Sequence, residues 1–264
     1  MLTVATWNVN SIKARLPAVL AWLAEFKPDV LLLQEIKCLE SDFPALEFAA
    51  LGYAAAATGQ KTYNGVAVLS KVGLAEVTTG LPGDAADTQA RWLEAKVAEN
   101  LRVVALYLPN GNPVADATGS PSDKFRYKLA WMERLQARAA ELLEAGGPVL
   151  LGGDFNVLPR PEDCYDPKAW AGDALMRPET RSRFFALQHQ GWTDAVRAFH
   201  PGAGLYSFWD YQAGAWVRNN GLRIDFLLAS PAAADALCGA GIDKAPRGRE
   251  KASDHTPVWC RLEL

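Results

Sequence analysis

The chain has 264 residues, half of them hydrophobic and 22% charged, with a formal net charge of -3. That composition excludes a disordered, collagenous or globally basic protein and leaves enough apolar material for one domain, expected to span residues 1–264. Nucleic acid stays open as a partner, because a local basic stripe or a bound divalent cation can offset phosphate charge on an acidic protein.

The N-terminal MLTVATWN runs straight into strand-like alternation with no basic leader, and no later stretch approaches roughly 18 continuous apolar residues. Cys38, Cys164, Cys238 and Cys260 form no C-x-x-C pair and have no His at zinc spacing. A cytoplasmic protein with reduced thiols and no membrane span is expected. In chain order, strands are predicted at 2–7, 29–34, 65–70, 91–97, 101–108, 148–152, 222–229 and 256–264. Helices are predicted over 11–26, capped by Ser11, over 122–143, capped by Ser122 and closed by Gly146 and Gly147, and over 177–191. This alternation predicts a layered α/β (α+β) architecture. Two long loops, 111–123 and 158–173, are candidates for function.

Polar residues gather where the strands stop. Asn8 ends the first, Gln34 and Glu35 the second, Tyr107 and Asn110 close LRVVALYLPN, and Asp154 and Asn156 follow VLLGG. Taken singly, Asp154 reads as readily as a helix cap or turn residue, Glu35 could merely pair with Lys37, and Asn8 could close a turn. His189 and His200 are expected at surface or packing positions, whereas His255 sits in SDHTPV beside Asp254, just before the last strand. A carboxylate taken out of water costs several kcal/mol unless it is paired or bound to a metal, so several at separate strand ends call for one shared site. The set is oxygen-rich with one imidazole and no thiol, which suits Mg2+ or Mn2+ better than zinc.

TWNVNSIKAR, PDVLLLQEIK, YNGVAVLSK, GGDFNVLP, YSFWDY, GLRIDFLLAS and SDHTPV, taken in order, resemble the signature blocks of the exonuclease III family of apurinic/apyrimidinic endonucleases, within the endonuclease/exonuclease/phosphatase superfamily. The resemblance covers essentially the whole chain. It implies a four-layer α/β sandwich of two central mixed sheets flanked by helices, acting as a monomer on double-stranded DNA with abasic sites or 3′ ends. The implied reaction is divalent-metal-dependent hydrolysis 5′ to an abasic site, with 3′-phosphodiesterase, 3′-phosphatase and 3′ to 5′ exonuclease activities. An enzyme acting mainly on undamaged 3′ ends and a non-catalytic DNA-binding relative are the competing readings.

Residue by residue, the resemblance assigns Glu35 to the metal, with Asn8 and Asn10 in support and Asp254 at the metal or just behind it. Asp154 orients and deprotonates the attacking water, Asn156 and His255 contact the phosphate, and Asp225 holds the histidine. Tyr107 and Asn110 match phosphate-contacting positions. Tyr63, Asn64, Arg91 and Lys124 match DNA-facing positions, and Phe208, Leu222 and Ile224 match an apolar pocket for an extruded, base-free sugar, with Arg223 beside them and Trp209 either beside them or, if one of the Phe208–Trp209 pair packs inward, in the core. Basic clusters at Lys124, Arg126 and Lys128, at Arg177, Arg181 and Arg183, and at Arg247, Arg249 and Lys251 are further candidates for phosphate contact.

Overall fold

A computed structural model describes residues 1–98 and 100–264. Its strands are β1 (Leu2–Asn8), β2 (Val30–Gln34), β3 (Ala54–Thr58), β4 (Val66–Ser70), β5 (Ala75–Thr79), β6 (Trp92–Val97), β7 (Leu101–Tyr107), β8 (Val149–Asp154), β9 (Thr193–Asp194), β10 (Asp225–Ala229), β11 (Leu237–Ile242) and β12 (Val258–Leu262). Its helices are α1 (Ile12–Phe26), α2 (Ala45–Ala49), α3 (Asp123–Glu144), α4 (Pro167–Trp170), α5 (Pro178–Gln190), α6 (Ala195–Phe199) and α7 (Pro231–Asp235).

The strands form two six-stranded sheets, ordered β11-β12-β1-β2-β4-β3 and β5-β6-β7-β8-β10-β9. Each sheet is mixed. β1 and β2 are parallel and joined through α1; β7 and β8 are parallel and joined through α3. A parallel pair needs a crossover of about a dozen residues or more, and these two helices supply it.

Side-chain alternation explains the layering. In β1, Val4 faces the other sheet and packs with Leu32, Val66, Val103, Leu150 and Leu227. Its neighbour Ala5 faces the opposite way, with Trp7 and Leu33, onto Val19, Trp22 and Leu23 of α1. The second sheet turns Val104, Leu106, Leu151 and Phe226 outward onto Trp131 and Leu135 of α3 and Phe184 of α5. Strands covered on both faces read as nearly continuous apolar runs, as VLLLQ and VLLGG do. The result is helix, sheet, sheet, helix.

The predicted helix starts hold. The Ser11 hydroxyl accepts from Ala14 N and that of Ser122 from Phe125 N, each relieving a backbone donor that the first helical turn leaves unpaired. Residues 222–224 depart from the predicted strand: β10 begins at Asp225, and Leu222 instead makes isolated bridges to Cys164 and Phe208. β3, β5, β9 and β11 were not predicted, and they are the outer strands of the two sheets. Among the described residues, no helix is long and apolar enough to cross a membrane.

Candidate active site

Strand direction decides where the polar residues meet. β1 and β2 end together, with Asn8 opposite Gln34, so Glu35 emerges beside Asn8. β7 and β8 likewise end with Tyr107 opposite Asp154, and antiparallel β10 starts with Asp225 opposite Asp154. The two sheets therefore deliver their polar termini to one end of the sandwich. The glycines of VLLGGDFN let the layers close behind Asp154. A Cβ on Gly152 would stand 2.5 Å from Leu32 Cδ1 of the other sheet, and one on Gly153 would stand 1.9 Å from Leu106 O.

Backbone strain gathers at the same end. Asn10, Glu35, Asn64 and Asn156 have φ of 45°, 52°, 55° and 46°. Non-glycine residues hold the left-handed region only where surrounding contacts over-determine it, and such residues cluster at functional sites.

Asn8 joins the two sheets: its Nδ2 donates to Glu35 Oε1 at 2.8 Å and to Asp154 Oδ2 at 3.0 Å. Lys37 Nζ lies 2.8 Å from Glu35 Oε2 and donates to Asn10 Oδ1 at 2.5 Å, while Asn10 Nδ2 donates to Asp254 Oδ1 at 3.1 Å. On the other side, His255 Nδ1 lies 2.8 Å from Asp225 Oδ2 and its Nε2 lies 3.7 Å from Asp154 Oδ2. Ser207 Oγ donates to the same Asp225 oxygen at 2.6 Å. The Asn156 backbone N–H donates to Asp154 Oδ1 at 2.9 Å, and Asn110 Nδ2 donates to Asn156 Oδ1 at 3.2 Å. One ligand atom each from Glu35, Asp154 and His255 lies within 4.8 Å of the others.

Burial sets the charges. Asp154 is 2% exposed, and its carboxyl is pushed up first by burial, then by Asp225 and Glu35, against the pull of His255. For His255 burial opposes the charged form, but Asp225 and then Asp154 override it and raise its pKa, so the ring is an imidazolium held between carboxyl groups. Burial also resists ionisation of Glu35, yet Lys37 and the Asn8 amide hold it below the usual carboxylate range. The Tyr107 phenol is raised well above its ordinary value, by burial first and then by Glu35 and Asp154, and stays a proton donor.

A cleft of about 570 Å3 opens beside this cluster, lined by Tyr63, Asn64, Arg91, Asn110 and Lys124 together with Gln60, Gln89 and Tyr127. Asn110 belongs to both cleft and cluster. Arg91 stacks its guanidinium 4.8 Å from the Tyr107 ring centroid while Gln89 Oε1 accepts from Arg91 Nε at 2.7 Å. At the other flank, Phe208 meets the His255 ring at 4.9 Å between centroids, and buried Leu222 and Ile224 back it.

Trp209 and Arg223 correct the sequence reading. Trp209 is fully buried, packed at 4.8 Å against Trp216 with its indole N–H on Asn219, so it is core rather than DNA face. Arg223 is 1% exposed and bonds Asp163 and Asp194 at 2.7 Å each. The basic clusters divide in the same way. Lys128 is buried, Arg247 donates to Trp209 O, Arg249 pairs with Glu25, Arg177 with Glu179 and Arg183 with Glu133, and Arg181 donates to Pro159 O. Lys124 remains an exposed cation of the cleft.

Gln60, Gln89, Tyr127 and Ser207 were missed. Nothing in their local sequence marks the two glutamines. Ser207 lay inside the YSFWDY block, and its position next to Phe208 was the available signal.

The chain matches the endonuclease/exonuclease/phosphatase family over residues 5–255. It is 32% identical over 268 residues to exodeoxyribonuclease III of Haemophilus influenzae, with 98% of each chain covered. Among solved structures, a 3′ phosphatase from Neisseria bound to a product DNA hairpin superposes with a TM-score of 0.94 at 38% identity, covering 100% of both chains. An AP endonuclease from Archaeoglobus fulgidus superposes with a TM-score of 0.93 at 35% identity, again over 100% of both.

Proposed function

Because this chain belongs to the endonuclease/exonuclease/phosphatase family, we propose that it is a divalent-metal-dependent DNA-repair phosphodiesterase that incises 5′ to abasic sites and processes 3′ ends. The observation that carries the reading is one cluster built from both sheets, in which Asn8 bridges Glu35 and Asp154 while His255 stands 3.7 Å from Asp154. The Haemophilus exonuclease, the Archaeoglobus AP endonuclease and the Neisseria 3′ phosphatase support a DNA phosphodiester as substrate and both internal and 3′ sites as targets.

The donor set fits a hard cation. Glu35 presents a carboxylate, with the Asn8, Asn10 and Asp254 side-chain oxygens alongside and no thiol in the group. That chemistry favours Mg2+ or Mn2+, with Glu35 as principal ligand. Such an ion, when bound, polarises the phosphate and offsets charge on the departing 3′ oxygen. The rest falls to side chains. Asp154, its pKa raised by burial, accepts the proton of a water that attacks phosphorus as the P–O3′ bond breaks, a contribution of typically ~10²–10⁴-fold. The His255 imidazolium and the Asn156 and Asn110 amides donate to phosphate oxygens as their charge grows, and Tyr107 adds a phenolic donor. Asp225 fixes the histidine's proton on Nδ1 and sustains its charge.

Tyr63, Asn64, Arg91 and Lys124 hold backbone phosphates along the cleft, and Phe208, backed by Leu222 and Ile224, offers an apolar wall to a base-free sugar. Two matched duplexes, one carrying a single abasic analogue, test the reading with Mg2+ present. Incision at the lesion is expected. Stepwise 3′ shortening alone would make it chiefly an exonuclease, and binding without cleavage would defeat the reading.

A further inference from the structure

Lys128 occupies a core position of α3. It recurs on the same face as Phe125, Trp131, Met132 and Leu135 and is 0% exposed. A buried amine needs its N–H donors satisfied, and this one, its pKa pushed down to about 7 by burial, donates to Asn110 O at 2.9 Å and to Asn156 O at 2.6 Å. Those carbonyls belong to the segments that leave the parallel strands β7 and β8, the same segments that carry two of the amides at the site. The lysine stem runs directly against the backbone of Gly111: a Cβ there would fall 2.5 Å from Lys128 Cδ, and Gly111 has a φ of 89°.

We propose that Lys128 is a positioning residue for phosphodiester cleavage: it braces the Asn110 and Asn156 backbones from below and so sets where their side-chain amides meet the phosphate. One backbone angle and two further contacts make the brace directional. Asn156 sits in the left-handed region with a φ of 46°, its Nδ2 donates to Leu108 O at 2.9 Å, and its Oδ1 accepts from Asn110. With its carbonyl held by Lys128, the peptide on the C-terminal side of Asn156 is restrained, and the side chain stays between Leu108 O and the Asn110 amide. The inference rests on the reading of Asn156 as a phosphate donor, and deepens it by naming what aims that donor.

The test is a double-mutant cycle on the abasic duplex, with Mg2+, at a temperature where every variant is folded. Lys128→Met preserves the length of the stem and removes the donors. Misplacing a catalytic group by about 1 Å costs on the order of 10²-fold, so kcat is expected to fall about 10- to 100-fold while KM for DNA changes less than about threefold. Added to Asn156→Ala, it should cost clearly less than it does alone, because part of its effect passes through Asn156 and only the part that passes through Asn110 remains. A folded Lys128→Met variant with wild-type kcat, or losses that multiply in the double variant, would overturn the proposal. If Asn156→Ala itself cleaves at the wild-type rate, the reading of the phosphate site fails instead. Should Lys128→Met not fold, Lys128→Gln, which keeps a donor for one carbonyl, enters the same cycle under the same two criteria.

Discussion

Asp225 Oδ2 lies 2.8 Å from His255 Nδ1, and the pair ties the first residue of β10 in one sheet to the segment that enters β12 in the other. Asp225 is the leading cause that raises the histidine's pKa, against the opposing effect of burial. Removing that anion destabilises the imidazolium. Asp225→Asn should therefore move the alkaline limb of the pH–rate profile toward neutral pH, and a profile that keeps its alkaline limb would contradict the role given to Asp225. The same sign governs stability. Because the folded pKa is raised from 6.5 to about 10, this group's stabilising contribution is full below the lower value and is lost as pH rises through the upper one.

Asp154→Asn keeps the shape of the side chain and removes the proposed base. Turnover on the abasic duplex should fall by ~10²–10⁴-fold while the Kd for DNA stays within a few-fold. Single-turnover rates and a binding titration separate the two quantities.

Glu35→Gln addresses the metal. It leaves an amide where Lys37 and Asn8 now meet a carboxylate, at 2.8 Å each. The Mg2+ concentration giving half-maximal rate should rise by about tenfold or more. An unchanged metal titration would remove Glu35 as principal ligand.

Arg223→Met tests whether this arginine serves the fold. Its loss leaves Asp163, fully buried, with less charge compensation and Asp194 without its partner at 2.7 Å. Breaking a buried ion pair from one side costs about 3–5 kcal/mol, so thermal denaturation should reveal a large loss of stability. DNA affinity of the folded fraction should be nearly unchanged.

The strands missed in the sequence share a cause. β3 (AAAAT), β5 (AEVTT), β9 (TD) and β11 (LCGAGI) are outer strands, and β5 is exposed at every residue. An outer strand buries less surface and carries no dense apolar run, so pairing with a neighbour defines it more than its own residues do. The inner strands bury both faces and could be read directly.

Lys128 and Arg223 were misread for a related reason. Basic residues in a linear cluster look solvated, yet the period of α3 places Lys128 with Phe125 and Leu135, and the carboxylates of Asp163 and Asp194 that receive Arg223 come from segments 60 and 29 residues away. Trp209, next to Phe208 in the chain, points into the core because extended neighbours face opposite sides.

By itself, the amino-acid order determined the inner strands, the helix caps and the polar groups at the strand ends, because each depends on residues close together in the chain. Only the tertiary structure decided that Asn8 would link Glu35 to Asp154 and which cations would be spent inside. Those outcomes depend on how two sheets face each other, and facing is a property of strand direction and packing that no local stretch encodes.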